Sequence, residues 1–231
     1  MHADRAIERT ADSFVSDGWA RRREIRSIGR ALSRVPGGSA VLTIPCGSGC
    51  WFELLMQRGF RITCADSSHS ALEDASRRWK KIAEHAKSNA PEPSFLLIDS
   101  LQPSFPDRHF DAVICTGFFD CLDTSERRIE ALKQLRRISR GPVIVSFCNA
   151  FALGALPLNV ARRKSTDDSR RRTPVPVWAF LNDLRRAGLK PVERHAVLWG
   201  ISPLWHIVSV PASGNASSFF ASPRTGVAKA A

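Results

Sequence analysis

The residues best suited to chemistry sit in one short segment. Val41-Leu42-Thr43-Ile44-Pro45-Cys46-Gly47-Ser48-Gly49 reads as an apolar strand running into a glycine turn, with a helix expected to begin near Cys50. Glycines allow a ligand to approach the backbone, and the N–H groups at a helix start favour a negative group. Nineteen residues beyond Gly47 stands Asp66, closing the next apolar run. A carboxylate in that place can accept hydrogen bonds from ribose hydroxyls. The pattern points to a nucleoside-bearing ligand laid across the turn.

Three readings of the turn compete. A dinucleotide site needs a third glycine for close helix packing beside the pyrophosphate, and Phe52 occupies that position. A phosphate-binding loop fails because no Gly-Lys-Ser/Thr follows. Cys46-Gly47-Ser48-Gly49-Cys50-Trp51 approaches the Cys-Gly-Ser-Cys-Trp signature of papain-like proteases, with His195 and Asn215 downstream. Gly49 interrupts that signature, no secretory signal is seen, and Asn215 lies in a tail without a core pattern.

The third reading is S-adenosyl-L-methionine. Over roughly residues 38–210 the chain resembles the class I S-adenosylmethionine-dependent methyltransferase family. Val41 to Gly49 looks like its first motif in a Pro-Cys-Gly-x-Gly variant, and Ile62-Thr63-Cys64-Ala65-Asp66-Ser67-Ser68 is similar to its second. Asp99-Ser100-Leu101, Phe105-Pro106-Asp107 and Phe110-Asp111-Ala112-Val113-Ile114 resemble the third and fourth. This resemblance implies a cofactor across the carboxyl edge of a seven-stranded sheet. Cys46, Gly47, Ser48 and Gly49 would meet its methionine and ribose parts, and Asp66 with Ser67 would hold the ribose. Asp99, Ser100 and Leu101 would flank the adenine, with Thr116 and Gly117 near the sulfonium. The cofactor carries no phosphate, so a third glycine is not required. Its carboxylate suits a helix N-terminus and its neutral diol suits an acid.

Two departures bear on activity. Thr43 stands where the family commonly has an acid, and Cys115-Thr116-Gly117-Phe118-Phe119-Asp120 is unlike the Asn/Asp-Pro-Pro-Tyr/Phe motif of methylators acting on bases or protein side chains. Cys115 reads as a buried strand residue rather than a nucleophile. Methyl transfer needs positioning and, for some acceptors, a base. Asp120 lies just past the fourth strand, facing an acceptor or capping a helix. His195 and His206 fall in the last two strands, where a structural role competes with a catalytic one. No Cys-x-x-Cys or Cys/His ligand spacing appears, so no metal is expected.

These residues require a particular set of elements. Strands are expected at 40–44, 61–65, 94–98, 110–116, 142–147, 191–198 and 205–210. Between them run helices carrying Leu72, Ala75, Trp79 and Ile82, then Ile129, Leu132, Leu135 and Ile138, then Val177, Phe180, Leu181 and Leu184. Alternation of this kind implies an α/β, doubly wound, mostly parallel, Rossmann-like sheet, its first strands covered on both faces. The short link Gly200-Ile201-Ser202-Pro203 makes the last two strands an antiparallel hairpin. Residues 1–36 read as a helical preface or lid and 37–211 as the methyltransferase domain. A basic loop insertion is expected at 159–173 and a disordered tail at 212–231. Phe14, Trp19 and that basic loop are the expected lids, while Trp178, Trp199 and Trp205 read as core.

Composition sets the outer limits. The 231 residues are 43% hydrophobic and 24% charged, which excludes a collagen, a coiled coil or a wholly disordered chain. No apolar run approaches the roughly 20 residues of a membrane span, and the charged start lacks a signal-peptide core. The expected place is the cytoplasm. Lys and Arg number 34 against 22 Asp and Glu, a formal net charge of +12 that favours an anionic partner. The leading expectation is a methyltransferase acting on a small anionic or aromatic acceptor. An RNA methyltransferase and an inactive cofactor-binding scaffold are the alternatives, and oligomeric state stays open.

Overall fold

The computed structural model of the chain describes residues 18–87, 89–155, 173–196 and 201–212. In chain order the elements are α1 (Gly18–Ala31), β1 (Ala40–Thr43), α2 (Phe52–Gln57), β2 (Arg61–Asp66), α3 (His69–Ala86) and β3 (Ser94–Leu97). There follow β4 (Ala112–Cys115), α4 (Ser125–Ile138), β5 (Val143–Cys148), α5 (Val177–Arg186), β6 (Leu189–Ala196) and β7 (Leu204–Pro211). Each expected strand is present, shifted by at most two residues at either end.

The seven strands form one sheet in the order β3-β2-β1-β4-β5-β7-β6. β1 pairs in parallel with β2 and β4, β2 with β3, and β4 with β5. β7 runs antiparallel to both β5 and β6. The hairpin is therefore present, and its second strand, not its first, joins the parallel sheet. Side chains explain this order. β7 is buried from Leu204 to Val210, whereas β6 carries the exposed Lys190 and Arg194 and so suits an edge. Chain order reverses between β1 and β4, and ligands of such sheets bind outside the strand ends at that point.

Each face of the sheet has its own core. On one, Leu132, Leu135 and Ile138 of α4 and Phe180 and Leu184 of α5 pack on Leu42, Val113, Val143 and Val145. Phe147 and Phe180 stack there with centroids 4.3 Å apart. Arg128 of α4 and Asp183 of α5 form a buried ion pair at 2.8 Å. On the other face, Ile28 and Leu32, Phe52 and Leu55, and Leu72, Ala75 and Trp79 cover Val41, Ile62, Cys64, Ala112 and Ile144. α3 is capped by Ser68, whose hydroxyl accepts the Ala71 N–H at 3.2 Å.

Two expectations change. β3 is an edge strand, and Leu96 and Leu97 are exposed, so covering on both faces does not extend to it. Trp205 is buried as expected, but Trp178 is 63% exposed and stacks on the exposed Phe151. Position explains it: Trp178 lies in the first turn of α5, off the Phe180–Leu184 stripe that faces the sheet. The basic loop lies outside the described residues except for Thr173, as do Phe14, Trp199 and the tail beyond Ala212. The described part of the preface is helical, with Ile28 and Leu32 buried. No described helix is long and apolar enough to cross a membrane.

Candidate cofactor site

The turn after β1 forms where a strand must hand over to a helix within a few residues. Gly47 and Gly49 take φ of 52° and 76°, a left-handed geometry that glycine adopts without penalty. A Cβ on Gly49 would also meet the Phe52 ring at 2.0 Å, so that position needs glycine for space as well. α2 starts at Phe52 rather than Cys50 and has only six residues. Several amides expected to await a ligand are engaged internally. Cys46 N–H donates to Ala65 O at 2.9 Å and Gly49 N–H to Cys46 O at 3.1 Å. Gly47 N–H donates to Asp66 Oδ2 at 2.9 Å. A tight turn with two left-handed residues closes on itself, which spacing alone does not reveal.

Asp66 is 2% exposed at the carboxyl end of β2. Besides Gly47 N–H it accepts Ser68 N–H on Oδ1 at 3.1 Å. Its carboxylate thus ties the glycine turn to the start of α3, bringing two distant motif segments to one point. Ser67 lies between these partners and is half-buried. Just past β3, Asp99 Oδ1 accepts Leu101 N–H at 2.8 Å, which shapes the 99–101 turn. Ser100 is buried, and its hydroxyl has no hydrogen-bond partner among the described residues.

At the end of β4, Thr116 Oγ1 accepts Trp51 Nε1–H at 3.2 Å, and Gly117 N–H donates to Ser146 Oγ at 2.9 Å. Gly117 has φ of 73°. These bonds join the turns after β1 and β4 and the strand β5. Thr43 is buried and its hydroxyl donates to Cys64 Sγ at 3.6 Å, within the sheet's own packing. A hydrogen bond with Cys64, together with burial, pushes the Cys46 thiol well above its ordinary range. Burial alone does the same to Cys115, which suits a packed strand residue and not a nucleophile.

The expected bases are dispersed. Asp120 is 1% exposed in the short 3-10 turn Phe119–Cys121. Its Oδ1 accepts Cys148 N–H at 2.6 Å and its Oδ2 the Cys148 thiol at 3.3 Å, while its carbonyl takes Thr173 N–H at 2.6 Å. It neither caps a helix nor faces an open edge: a buried carboxylate must find donors, and the end of β5 supplies them. His206 is 1% exposed, with Nε2 3.3 Å from Glu24 Oε1 of α1. His195 lies on the edge strand β6 with Nε2 3.0 Å from Glu193 Oε2. β5 and β7 separate β6 from β4.

The residues at the mouth suit a nucleoside. A carboxylate held by two backbone amides matches the hydroxyls of a neutral ribose, and the Ser100 hydroxyl, buried without a hydrogen-bond partner among the described residues, is a further polar group past the end of β3. The missed residues, Trp51 and Ser146, act through contacts between strands far apart in sequence. A tryptophan just after the glycine turn was the one signal available.

Comparison with known proteins bears on the domain and its fold. A family model described as a methyltransferase domain matches residues 41–141. Human glycine N-methyltransferase is 32% identical over 149 residues, which are 61% of this chain and 50% of that protein, and the rat enzyme matches to the same extent. The chain therefore spans about half the length of the curated relatives it matches. Magnesium protoporphyrin IX methyltransferase from Synechocystis, solved with bound SAH, superposes with a TM-score of 0.66 at 18% identity over 83% of each chain. The cyclase SpnF superposes with a TM-score of 0.55 at 20% identity, covering 75% of this chain and 59% of that one. The architecture is that of class I methyltransferases, whose cofactor is S-adenosylmethionine. A cyclase on the same scaffold shows that fold alone does not name the reaction.

Proposed function

We propose that this chain is a class I S-adenosylmethionine-dependent methyltransferase, as its fold and the methyltransferase-domain match at residues 41–141 support, and that it methylates a small-molecule acceptor. The observation that carries the proposal is the buried Asp66 carboxylate, bonded at once to Gly47 N–H and Ser68 N–H. It draws the first two motif segments together at the carboxyl ends of β1 and β2, beside the switch point of the sheet. The name of the curated relatives, glycine N-methyltransferase, supports a small acceptor over RNA.

When bound, S-adenosylmethionine supplies a methyl group on a sulfonium, open to in-line displacement by an acceptor atom. Asp66 would accept the ribose hydroxyls, with Ser67 beside it. Asp99, Ser100 and Leu101 would border the adenine. The turn Cys46-Gly47-Ser48-Gly49 would wall the methionine end, and Thr116 and Gly117 would line the transfer position. Asp120 then acts as a positioning residue: by holding Cys148 it sets the Thr116–Asp120 turn against β5. His195 is too far across the sheet to serve as base without an extended acceptor. The chain contributes placement and exclusion of water, and an acceptor with its own nucleophilic lone pair needs little more.

Thr43 supports a second reading. Its hydroxyl donates to Cys64 Sγ, and the family that the sequence resembles commonly has an acid in place of Thr43, which favours a scaffold that binds the cofactor without turnover. Calorimetric titration with S-adenosylmethionine and with S-adenosylhomocysteine tests both. One-to-one micromolar binding, followed by methyl transfer in an acceptor screen, is the expected result. Binding without turnover across a broad panel selects the scaffold. No binding at millimolar cofactor in a folded sample overturns both.

A further inference from the structure

A cavity of about 260 Å³ opens between α1 and the end of β6, lined by Arg23, Arg26, Ser27, Arg30, His195 and Ala196. Arg23, Arg26, Ser27 and Arg30 follow one another at helical spacing, so a single stripe of α1 supplies four of the six. The helix is locked in this rotation from its inner side. Glu24 reaches His206 in the sheet, while Ile28 and Leu32 enter the core. His195 sits directly opposite His206 in the β6–β7 register and therefore shares the face that α1 covers.

The wall is cationic and has donors to give. Neither Arg26 nor Arg30 has a carboxylate partner among the described residues, although the Arg26 Nε–H donates to Arg22 O at 3.4 Å. The Ser27 hydroxyl is buried on the same wall and has no hydrogen-bond partner among the described residues. Two acids among the described residues lie nearby, and both are engaged: Glu24 lies 3.3 Å from His206, and Glu193 is 3.0 Å from His195 and 3.9 Å from Arg34. Guanidinium forks with a neighbouring hydroxyl are the donor set that planar or tetrahedral oxyanions take up.

We infer that this cavity binds an oxyanion, a carboxylate or a phosphate, carried on the methyl acceptor. Its place in the sheet says how far that group lies from the transfer position. Three strand steps of about 4.8 Å separate the ends of β4 and β6, so anion and methylated atom are about 14 Å apart. The acceptor is then an extended molecule with its charge at the far end, and free glycine is too short to bridge the two points. That the anion belongs to the acceptor rests on the methyltransferase reading; that the cavity binds an oxyanion does not.

Pyrophosphate and S-adenosylhomocysteine, titrated separately into the full chain, keep the two apart. Pyrophosphate is expected to bind one-to-one. Arg26→Ala with Arg30→Ala should weaken it at least tenfold while leaving S-adenosylhomocysteine affinity unchanged. Lys80→Ala with Lys81→Ala removes the same charge from an exposed stretch of α3 and should leave pyrophosphate binding intact. No pyrophosphate binding, no loss in the arginine variant, or equal loss in both variants overturns the site. Pyrophosphate binding without S-adenosylhomocysteine binding keeps the site and removes the methyltransferase reading. For any acceptor that turns over, the arginine variant should raise KM and spare kcat; an unchanged KM overturns the acceptor assignment.

Discussion

The turn after β1 and the turn after β4 leave the sheet from neighbouring strands, and each is secured by a buried carboxylate. They use it differently. The first turn has no acid of its own and is held by Asp66 from β2, whose two oxygens take amides from two separate loops at the strand ends. The second turn carries its own acid, Asp120, which faces inward and takes the amide and thiol of Cys148 at the end of β5. Both carboxylates satisfy the same need, since burying one without donors is costly. Asp66 ends up between two loops at the strand ends and Asp120 in the wall against β5. Equal burial at a strand end therefore does not give two acids the same role; the location of their donors decides which segments each one joins.

That contrast can be broken by experiment, and the largest effect is expected in the wall. Asp120→Ala strips the Cys148 amide of its partner at a fully buried position and should cost about 3 kcal/mol in denaturant-induced unfolding. The cofactor affinity of the folded variant should change little. A variant of normal stability that has lost the cofactor would reverse the roles of the two acids. Asp66→Ala should weaken S-adenosylhomocysteine binding by about 2 kcal/mol, roughly 30-fold, in line with loss of a charged hydrogen bond. Unchanged affinity in a folded Asp66→Ala protein would remove it from the site.

Both turns are also flanked by a thiol that folding keeps protonated, Cys46 through its bond to Cys64 and Cys115 through burial. Above about pH 8.5 the unfolded chain releases these protons and the folded chain does not, so rising pH favours unfolding. Stability is complete below that range and should decline above it by about 1.4 kcal/mol per pH unit for each such thiol. Cys115→Ala should make the decline shallower in urea titrations at pH 8 to 10. An unaltered slope would show that Cys115 ionises in the folded protein. The smallest effect tests the link between the turns. Trp51→Phe removes the bond to Thr116 and should cost about 1 kcal/mol. A double cycle with Thr116→Val should show coupling between the two positions.

Much of this was legible in the residues. Apolar runs broken by helical stripes such as Leu72, Ala75 and Trp79 announced the alternating architecture, because each stripe must be buried against a sheet. The place of Asp66 at the end of β2 was legible as well, but its bonds to the Gly47 and Ser68 amides were not. Asp120 was not: its position in the chain said only that it follows β4, and its direction depends on where β5 ends. The arginine cavity was half legible. The spacing of Arg23, Arg26 and Arg30 marks one side of a helix, but nothing in it indicates that His195 stands opposite.

By itself the sequence determined the order and kind of the elements, the glycine turn and the acid that follows it, because periodicity and φ requirements act over a few residues. Only the tertiary structure decided that β7 enters inside β6, that Asp120 turns toward Cys148, and that α1 lies with its arginines over the end of β6. Those outcomes depend on contacts between residues far apart in the chain. Burial and donor satisfaction choose among such contacts, and both are properties of the packed molecule.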